Sequence, residues 1–199
     1  MQSNDRALHY AILHKPYGVL SQFTPELPGQ RTLAEFGLPK GLYASGRLDS
    51  DSEGLLLLTN DGPLIKRLLD PGKGHERTYL VQVDGIPTDE SITRLENGVV
   101  IQKYHTLPAR ARLLEEKPSV PPRDPPIRVR KSIPTSWIEI KLTEGKNRQV
   151  RRMTAAIGYP TLRLIRTAIG NLLLDDLAPG QWRELTSSEI SELKMPLVR

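Results

Sequence analysis

The sequence predicts an α/β (α+β) fold, because segments with strand-like alternation are interspersed with amphipathic helical segments. Residues 76–85 alternate side chains with a period of two, as a half-buried strand does. The aliphatic run at 55–58 is soon followed by an Asn-Asp-Gly turn at 60–62, which is typical of a buried strand. An apolar stripe along 148–157 ends at a glycine and indicates a helix. With 199 residues, the chain can build one sizeable core.

The first half of the chain carries local signals for three further elements. Residues 8–14 alternate well enough to form a first strand, and Pro16 enforces the turn after it. Residues 32–36 can form a short helix. Pro63 suits the first turn of an amphipathic helix that runs to Leu69.

The second half begins with the strand at 76–85 and continues with a helix whose N-cap is Thr88. We expect segments 99–102 and 109–114 to pair as strands. Five prolines in the insertion 117–126 predict an extended connector. The remaining elements are strands at 137–143, 161–166 and 172–174 and a last helix, opened by a capping box at Thr186, that runs to Lys194.

The composition excludes several kinds of site. The chain has no cysteine, which excludes disulfides, thiolate zinc sites and cysteine nucleophiles. Its four histidines lack the spacing of a metal site, so we expect no metal and no cofactor. No apolar run approaches the roughly 20 residues that span a bilayer, and the first residues carry no export signal. We therefore expect a cytoplasmic protein with no membrane partner.

The positive charge is concentrated in one segment. Residues 123–166 contain eleven Lys or Arg against three Asp or Glu, an excess of eight positive charges. Because the whole chain carries +5, the rest of it carries −3. This distribution favours a polyanionic partner, although a solvated basic face without function remains the alternative.

A polar loop at 46–54 precedes the aliphatic run. It contains Arg47 and the three carboxylates Asp49, Asp51 and Glu53, and glycines bracket it at both ends. If the loop is extended, these four side chains share one side, since alternate residues of extended backbone point the same way. Bracketing glycines suit a backbone that bends sharply or is approached closely. The alternative is a solvated acidic loop with a local ion pair.

The stretch GRLDSDSEGLLLLTNDG at 46–62 resembles the signature of the RNA pseudouridine synthases of the RsuA branch. The resemblance implies that Asp49 is the catalytic nucleophile. Lys15-Pro16-Tyr17-Gly18 resembles the first motif of the family, and Arg77-Thr78-Tyr79 resembles the second, with Arg where the family usually has Lys. By the same resemblance, Tyr79 contacts the target base.

The stretch EGKNRQVRRM at 144–153 resembles the third motif of the family. There the arginine that follows Gln-Val, here Arg151, reaches the catalytic aspartate. We expect Arg47 and Val150 to support the site. The expected RNA-binding residues are basic, and they are Lys15, Arg128, Arg130, Lys131, Lys146, Arg148 and Arg152.

The resemblance also implies the architecture, a mixed, mostly antiparallel sheet in two lobes with flanking helices and Asp49 at the floor of a central cleft. We expect a tail at 1–7 and a single bilobed domain at 8–195, with lobes at about 8–75 and 76–195. Many relatives carry an S4-like RNA-binding domain ahead of the first motif. Only fourteen residues precede Lys15, so we expect RNA binding from the catalytic domain itself or from a partner.

The implied function is the isomerisation of a specific uridine to pseudouridine in ribosomal RNA, by base flipping. Residues 125–137 most resemble a subfamily that acts on the large ribosomal subunit, so we expect 23S ribosomal RNA or a precursor particle as partner and a monomeric enzyme. Three alternatives stay open. The chain could act on transfer RNA, it could be a non-catalytic RNA-binding assembly factor, or it could be a glycosidase using Asp49 and Glu53.

Overall fold

The computed structural model describes residues 7–70, 75–127 and 133–195. Within these ranges the chain forms a 3₁₀ helix at Leu33–Phe36 and four α-helices, which are α1 Gly62–Leu69, α2 Asp89–Asn97, α3 Gln149–Ala156 and α4 Ser187–Lys194. The strands in the same ranges are β1 Tyr10–Lys15, β2 Tyr43–Ser45, β3 Glu53–Thr59, β4 Arg77–Asp84, β5 Val100–Ile101, β6 Tyr104–His105, β7 Arg110–Leu113, β8 Thr135–Leu142, β9 Thr161–Ile169, β10 Leu172–Leu173 and β11 Trp182–Glu184.

Nine of these strands form one sheet in the order β11-β1-β3-β9-β4-β8-β7, with β2 beside β3 and β10 beside β9. Among the described strands, only β3 and β9 pair in parallel. The prediction of a mixed, mostly antiparallel sheet is confirmed. This parallel pair matters for the site. It joins β3, which follows the polar loop, to β9, which in turn pairs with β4.

The close approach predicted from the bracketing glycines occurs at Gly54. Its φ is +102°, and a Cβ atom there would overlap the backbone of Arg166 on β9. Gly46, at the other end of the loop, also has a positive φ of +80°. Glycine at position 54 therefore lets β3 and β9 meet directly behind the loop.

Three apolar clusters cover the two faces of the sheet. Leu55 and Leu57 belong to a cluster with α1 and α4, whereas Leu56 and Leu58 belong to one with the 3₁₀ helix. A third cluster packs β4 and β8 against α2 and α3. The aliphatic run of β3 is fully buried because both of its faces are covered.

The expected pairing of 99–102 with 109–114 is wrong. β5 instead pairs with β6 in a short hairpin, and β7 lies at the edge of the main sheet beside β8. The hairpin closes over Gln102 and Lys103, which both have positive φ. Two positive φ values are the geometry of a two-residue hairpin turn, but Gln-Lys lacks the Asn-Gly signal that usually marks one.

The last elements of the chain pack against β1, near the start of the chain. β11 pairs with β1. The Lys194 ammonium, at the end of α4, donates to the Tyr10 hydroxyl at 2.7 Å and lies 3.3 Å from the Asp61 carboxylate. The C-terminal strand and helix thus close the sheet beside β1.

The proline-rich insertion 117–126 has neither helix nor strand. Val120 packs against the apolar cluster of α1 and α4. Tyr17 lies in the turn that follows β1. The Arg123 guanidinium is 4.2 Å from the centroid of its ring. Side-chain contacts therefore anchor this connector on the sheet. No helix in the described part of the chain is both long and apolar enough to cross a membrane.

Candidate active site

A cleft of about 490 Å³ opens between the polar loop, β4 and the turn before α3. It brings together residues that are far apart in sequence. Those predicted for the site that line the cleft are Arg47, Asp49, Tyr79, Lys146, Arg148 and Val150. Arg77, Glu144 and Arg166, to which the sequence analysis gave no role in the site, line it as well.

Asp49 lies on a turn. The amide of Ser52 donates to the Asp49 carbonyl at 3.0 Å, so the backbone reverses direction just after this aspartate. The side chain of Asp49 is 34% exposed and faces the cleft. The four alternating side chains would share one side only if the loop were extended, and it is not, because this turn breaks the alternation. Glu53 instead pairs with Arg163.

Gly18 of the first motif and Ser21, three residues after it, hold the backbone on both sides of Asp49. The Ser21 hydroxyl donates to the Leu48 carbonyl at 2.7 Å and accepts from the Leu48 amide at 3.0 Å. The amide of Gly18 donates to the Ser50 carbonyl at 2.7 Å. Asp49 is therefore flanked by two backbone positions that are fixed by the turn after β1.

Lys15 also belongs to this support, which corrects its assignment to RNA binding. The side chain is fully buried, and its ammonium donates to the carbonyls of Pro16, Val19 and Ser50 at 2.9, 2.8 and 3.4 Å. Burial lowers the pKa of Lys15 to about 7, against the opposing effect of nearby carboxylates, of which Glu53 is the strongest. An ammonium enclosed in this way holds the loop and does not face solvent.

Arg148 reaches the loop from the residue before α3. It has left-handed backbone angles, with φ of 51° and ψ of 33°. Its guanidinium donates two hydrogen bonds to Asp51, at 3.0 and 2.8 Å, and its Nη1 lies 3.5 Å from Oδ2 of Asp49. Hydrogen bonding to Asp51 raises the pKa of Arg148. One cation thus contacts two carboxylates of the turn.

Arg151 contacts Asp51 and not Asp49, which was its predicted partner. Its Nη2 donates to the Asp51 carbonyl at 2.5 Å, and its Nε lies 3.4 Å from Oδ2 of Asp51. Among the described residues, the arginine paired directly with Asp49 is Arg148. The turn after Asp49 explains the difference, because it carries Asp51 toward α3. Burial lowers the pKa of Arg151, whereas the carboxylates oppose the shift.

Asp51 is thus the carboxylate on which the two arginines converge. Burial tends to raise its pKa, but the hydrogen bonds from Arg148 and the charges of both arginines outweigh burial and lower it. Asp51 therefore stays ionised and fixes α3 to the loop, while Asp49 keeps a partly open carboxylate.

Tyr79 lines the cleft from β4 and is largely buried. Its register partner on β9 is Arg166, whose Nε donates to the Leu55 carbonyl at 2.8 Å and whose Nη2 donates to the Gly46 carbonyl at 2.9 Å. Arg166 was not among the residues predicted for the site. The available signal was an arginine next to apolar residues of a predicted strand, since a buried charge requires partners.

Arg77 is a second buried arginine that lines the cleft, and no structural role was predicted for it. It donates to the Leu68 carbonyl at the end of α1, at 2.9 Å, and to the Thr143 carbonyl after β8, at 3.4 Å. Arg77 therefore ties the end of α1 to the segment that follows β8, and it lines the cleft itself.

Glu144 organises the turn of the third motif. Its carboxylate accepts hydrogen bonds from the Tyr104 hydroxyl at 2.7 Å, the Leu107 amide at 2.8 Å and the Gln149 side chain at 2.5 Å. The ammonium of Lys146 lies 4.5 Å from the centroid of the Tyr104 ring. The turn is therefore held in a shape that presents basic residues at the cleft.

The other predicted RNA-binding residues divide into two groups. Arg152 is partly exposed on α3 and donates to the Asn147 side chain at 2.8 Å. It lies outside the lining of the cleft. Arg128, Arg130 and Lys131 fall outside the described residues.

Glu53 forms a buried ion pair away from the cleft. Its two oxygens accept hydrogen bonds from Arg163 at 2.8 Å each, and both side chains are almost fully buried. A second glycosidase carboxylate must face the sugar, so this placement removes the glycosidase pair that the sequence left open. No cluster of His, Asp and Glu suited to a metal ion occurs within the described ranges.

The sequence and structure match one family of RNA-modifying enzymes. The profile of the family described as RNA pseudouridylate synthase matches residues 9–156. The chain is 58% identical over 173 residues to the ribosomal large subunit pseudouridine synthase E of Xanthomonas campestris, across 86% of this chain and 92% of that protein. It is 50% identical over 174 residues to a protein of the same name from Vibrio parahaemolyticus, across 87% of this chain and 72% of that protein.

The fold is shared with a solved enzyme. A crystal structure of a pseudouridylate synthase superposes with a TM-score of 0.78 at 29% identity, and the match covers 94% of this chain and 74% of that one. The family match extends through all three sequence motifs and includes the aspartate turn, Tyr79 and the first turn of α3. The chain therefore belongs to the RNA pseudouridylate synthase family.

Proposed function

We propose that this protein isomerises a uridine to pseudouridine in the RNA of the large ribosomal subunit, with Asp49 as the catalytic carboxylate. The observation that carries the proposal is the geometry of the cleft. Asp49 faces it with a partly open carboxylate, Arg148 lies 3.5 Å away, and Tyr79 lines the same cavity.

The reaction is an intramolecular rearrangement. The N1–C1′ bond of uridine breaks, the uracil rotates, and a C5–C1′ bond forms, while the proton on C5 leaves and N1 gains one. Nothing is oxidised and no group is imported, so the chemistry calls for a carboxylate, a surface that holds the base and a route for the C5 proton. Asp49 supplies the carboxylate, either by attack at C1′ or by removal of the C2′ proton.

Tyr79 and Arg47 have complementary places around the base. The ring of Tyr79 offers a face on which uracil can stack, and its hydroxyl is a candidate for moving the C5 proton. A cavity of about 490 Å³ falls within the usual range of ligand pockets. Taking the uridine out of its stack costs a few kcal/mol, and the exposed Arg47 beside Asp49 is suited to fill the gap it leaves.

Basic residues around the cleft offer contacts for the RNA backbone. Lys146 and Arg148 line the cleft, and Arg152 lies on the adjacent helix. Phosphate contacts position an RNA without reading its sequence. Their favourable free energy can offset the cost of flipping the base, so we assign them to binding rather than to chemistry.

The choice of substrate rests on the relatives. The Xanthomonas and Vibrio proteins are named for the large ribosomal subunit, and their identity to this chain is 50% or more. We propose 23S ribosomal RNA as the substrate, free or in a precursor particle, and a monomeric enzyme in the cytoplasm.

The experiment is tritium release from RNA labelled with [5-³H]uridine, since isomerisation removes the hydrogen on C5. Wild type and Asp49→Asn are compared on 23S, 16S and transfer RNA. Release by wild type from 23S RNA alone supports the proposal. Release from transfer RNA alone would move the substrate to that class, and no release from any of the three, as free RNA or in precursor particles, would sink the proposed activity.

A further inference from the structure

Arg166 is a buried cation that pairs with no carboxylate in the described part of the chain. Its side chain is 2% exposed. Among the described residues, no Asp or Glu forms an ion pair with it, whereas Arg163, three positions earlier on β9, is paired with Glu53. Burial without an anionic partner lowers the pKa of Arg166. A buried charge of this kind is unfavourable unless strong hydrogen bonds hold it.

The hydrogen bonds of Arg166 go to the two ends of the loop that carries Asp49. Nη2 donates to the carbonyl of Gly46, three residues before Asp49, at 2.9 Å. Nε donates to the carbonyl of Leu55, in β3, at 2.8 Å. One planar guanidinium therefore spans the entrance and the exit of the loop.

The same side chain adjoins Tyr79. Arg166 and Tyr79 are directly opposite each other on neighbouring antiparallel strands, so their side chains share one face of the sheet. The two side chains interact, and both line the cleft. The backbone of Arg166 also lies directly against Gly54, where β3 and β9 meet in parallel.

We propose that Arg166 is a positioning residue that sets the separation between Asp49 and Tyr79. It holds the carboxylate through the two ends of its loop and faces Tyr79 from the opposite position on β9. This inference rests on the proposed function, because it concerns the two groups assigned to the reaction. Displacements of about 1 Å in such groups can lower a rate by roughly 100-fold.

The test compares Arg166→Met and Arg166→Lys with wild type. Methionine removes every donor, and lysine keeps the charge but lacks the planar fork that reaches two carbonyls at once. We expect kcat for tritium release to fall roughly 10- to 100-fold in both variants, while KM and the Kd for RNA stay within about twofold of wild type. A loss confined to kcat distinguishes positioning of the reactive groups from weaker RNA binding.

The matched control is Arg163→Met combined with Glu53→Gln, which removes the other buried arginine of β9 together with its partner. This variant loses stability without touching the cleft, so its kcat should stay within about twofold of wild type at a temperature where it is folded. An equal loss of kcat in the control, or a folded Arg166 variant with kcat within twofold of wild type, would overturn the inference. If Arg166→Met does not fold, Arg166→Lys decides the question.

A second measurement separates this inference from the proposed function. Hydrogen–deuterium exchange of the peptide covering 46–54 should be at least several-fold faster in the Arg166 variants than in wild type. Exchange at the wild-type rate would overturn the role of Arg166 whatever RNA the enzyme acts on. Inactive wild type combined with faster exchange would instead reject the proposed function and retain the role of Arg166 in holding the loop.

Discussion

Nη1 of Arg148 lies 3.5 Å from Oδ2 of Asp49, so the residue that opens α3 contacts the proposed catalytic carboxylate across the cleft. Arg148 simultaneously holds Asp51 through two hydrogen bonds. The third motif and the aspartate turn therefore form one electrostatic unit. Replacement of either Asp49 or Asp51 therefore changes the surroundings of the other carboxylate.

Asp49→Asn should abolish isomerisation and leave RNA binding intact. The amide keeps the size of the side chain but can act neither as nucleophile nor as base, so we expect the rate to fall by a factor on the order of 10⁴. Tritium release measures the rate, and filter binding measures the Kd for RNA. Asp176→Asn replaces an exposed aspartate outside the cleft and is the control, with an expected rate equal to wild type. Turnover retained by Asp49→Asn would remove Asp49 from the chemistry.

Arg152→Ala and Lys146→Ala should weaken binding to all RNA sequences about equally. Each removes one cation near the cleft without breaking an ion pair to a described carboxylate. If each contacts one phosphate, the slope of log K against log salt should fall by about one unit per substitution. Binding titrations from 50 to 300 mM salt measure the slope. Arg112→Ala is the control for the salt slope. It removes an arginine that is paired with Glu139 at an edge of the sheet, outside the cleft.

Arg148→Ala should behave differently from those two variants. The Arg148 guanidinium is bound to Asp51, so its loss leaves one carboxylate without its two hydrogen bonds as well as removing a cation. We expect the double variant Arg148→Ala/Arg152→Ala to bind RNA more weakly with a flatter salt dependence, and Arg148→Ala alone to lower kcat also. An unchanged salt slope in the double variant would direct the RNA path away from α3.

Local patterns were sufficient to predict most elements of the fold. The four leucines of β3, the N-cap Thr88 and the capping box at Thr186 each specify structure through neighbours within a few residues. The hairpin at Gln102 was missed because its turn residues are unusual for their geometry. Secondary structure was therefore predictable wherever short-range signals determine it.

The connections within the site could be predicted only in part. Sequence identified Asp49 and α3 as partners, but the choice between Asp49 and Asp51 depends on a hydrogen bond that closes the turn. Lys15 seemed an RNA-binding residue because lysines are almost always exposed. Three carbonyls, one of them from the distant Ser50, make its burial possible. Such partners are set by tertiary packing and leave no local trace in the sequence.

Glu53→Gln should destabilise the protein by about 3–5 kcal/mol while the folded enzyme remains active. It leaves the Arg163 guanidinium buried without its anion, which is far less favourable than removing both partners. Urea unfolding followed by circular dichroism measures the free energy of unfolding. The control Glu35→Gln breaks an exposed pair with Arg31 and should cost less than about 1 kcal/mol. Loss of activity in fully folded Glu53→Gln would place Glu53 in the chemistry.

Lys15→Met should lose stability relative to wild type by an amount that grows as the pH rises. The pKa of Lys15 is about 7 in the folded protein because of burial, and its ordinary value is 10.5. Between these two values the unfolded chain binds the proton and the folded chain does not, so wild-type stability rises with pH by up to about 1.4 kcal/mol per pH unit. Methionine does not titrate, and its variant lacks this rise.

The measurement of the Lys15 effect is urea unfolding of wild type and Lys15→Met at pH 6 to 10, with the difference in unfolding free energy plotted against pH. The difference removes the contributions of other groups, apart from the carboxylates and the Arg166 guanidinium that act on Lys15. Lys117→Met, at an exposed position in the proline-rich insertion, should give a flat difference. A flat difference for Lys15→Met would mean that the ammonium stays charged between its carbonyls throughout this range, and the loop would then be held by a cation at every pH tested.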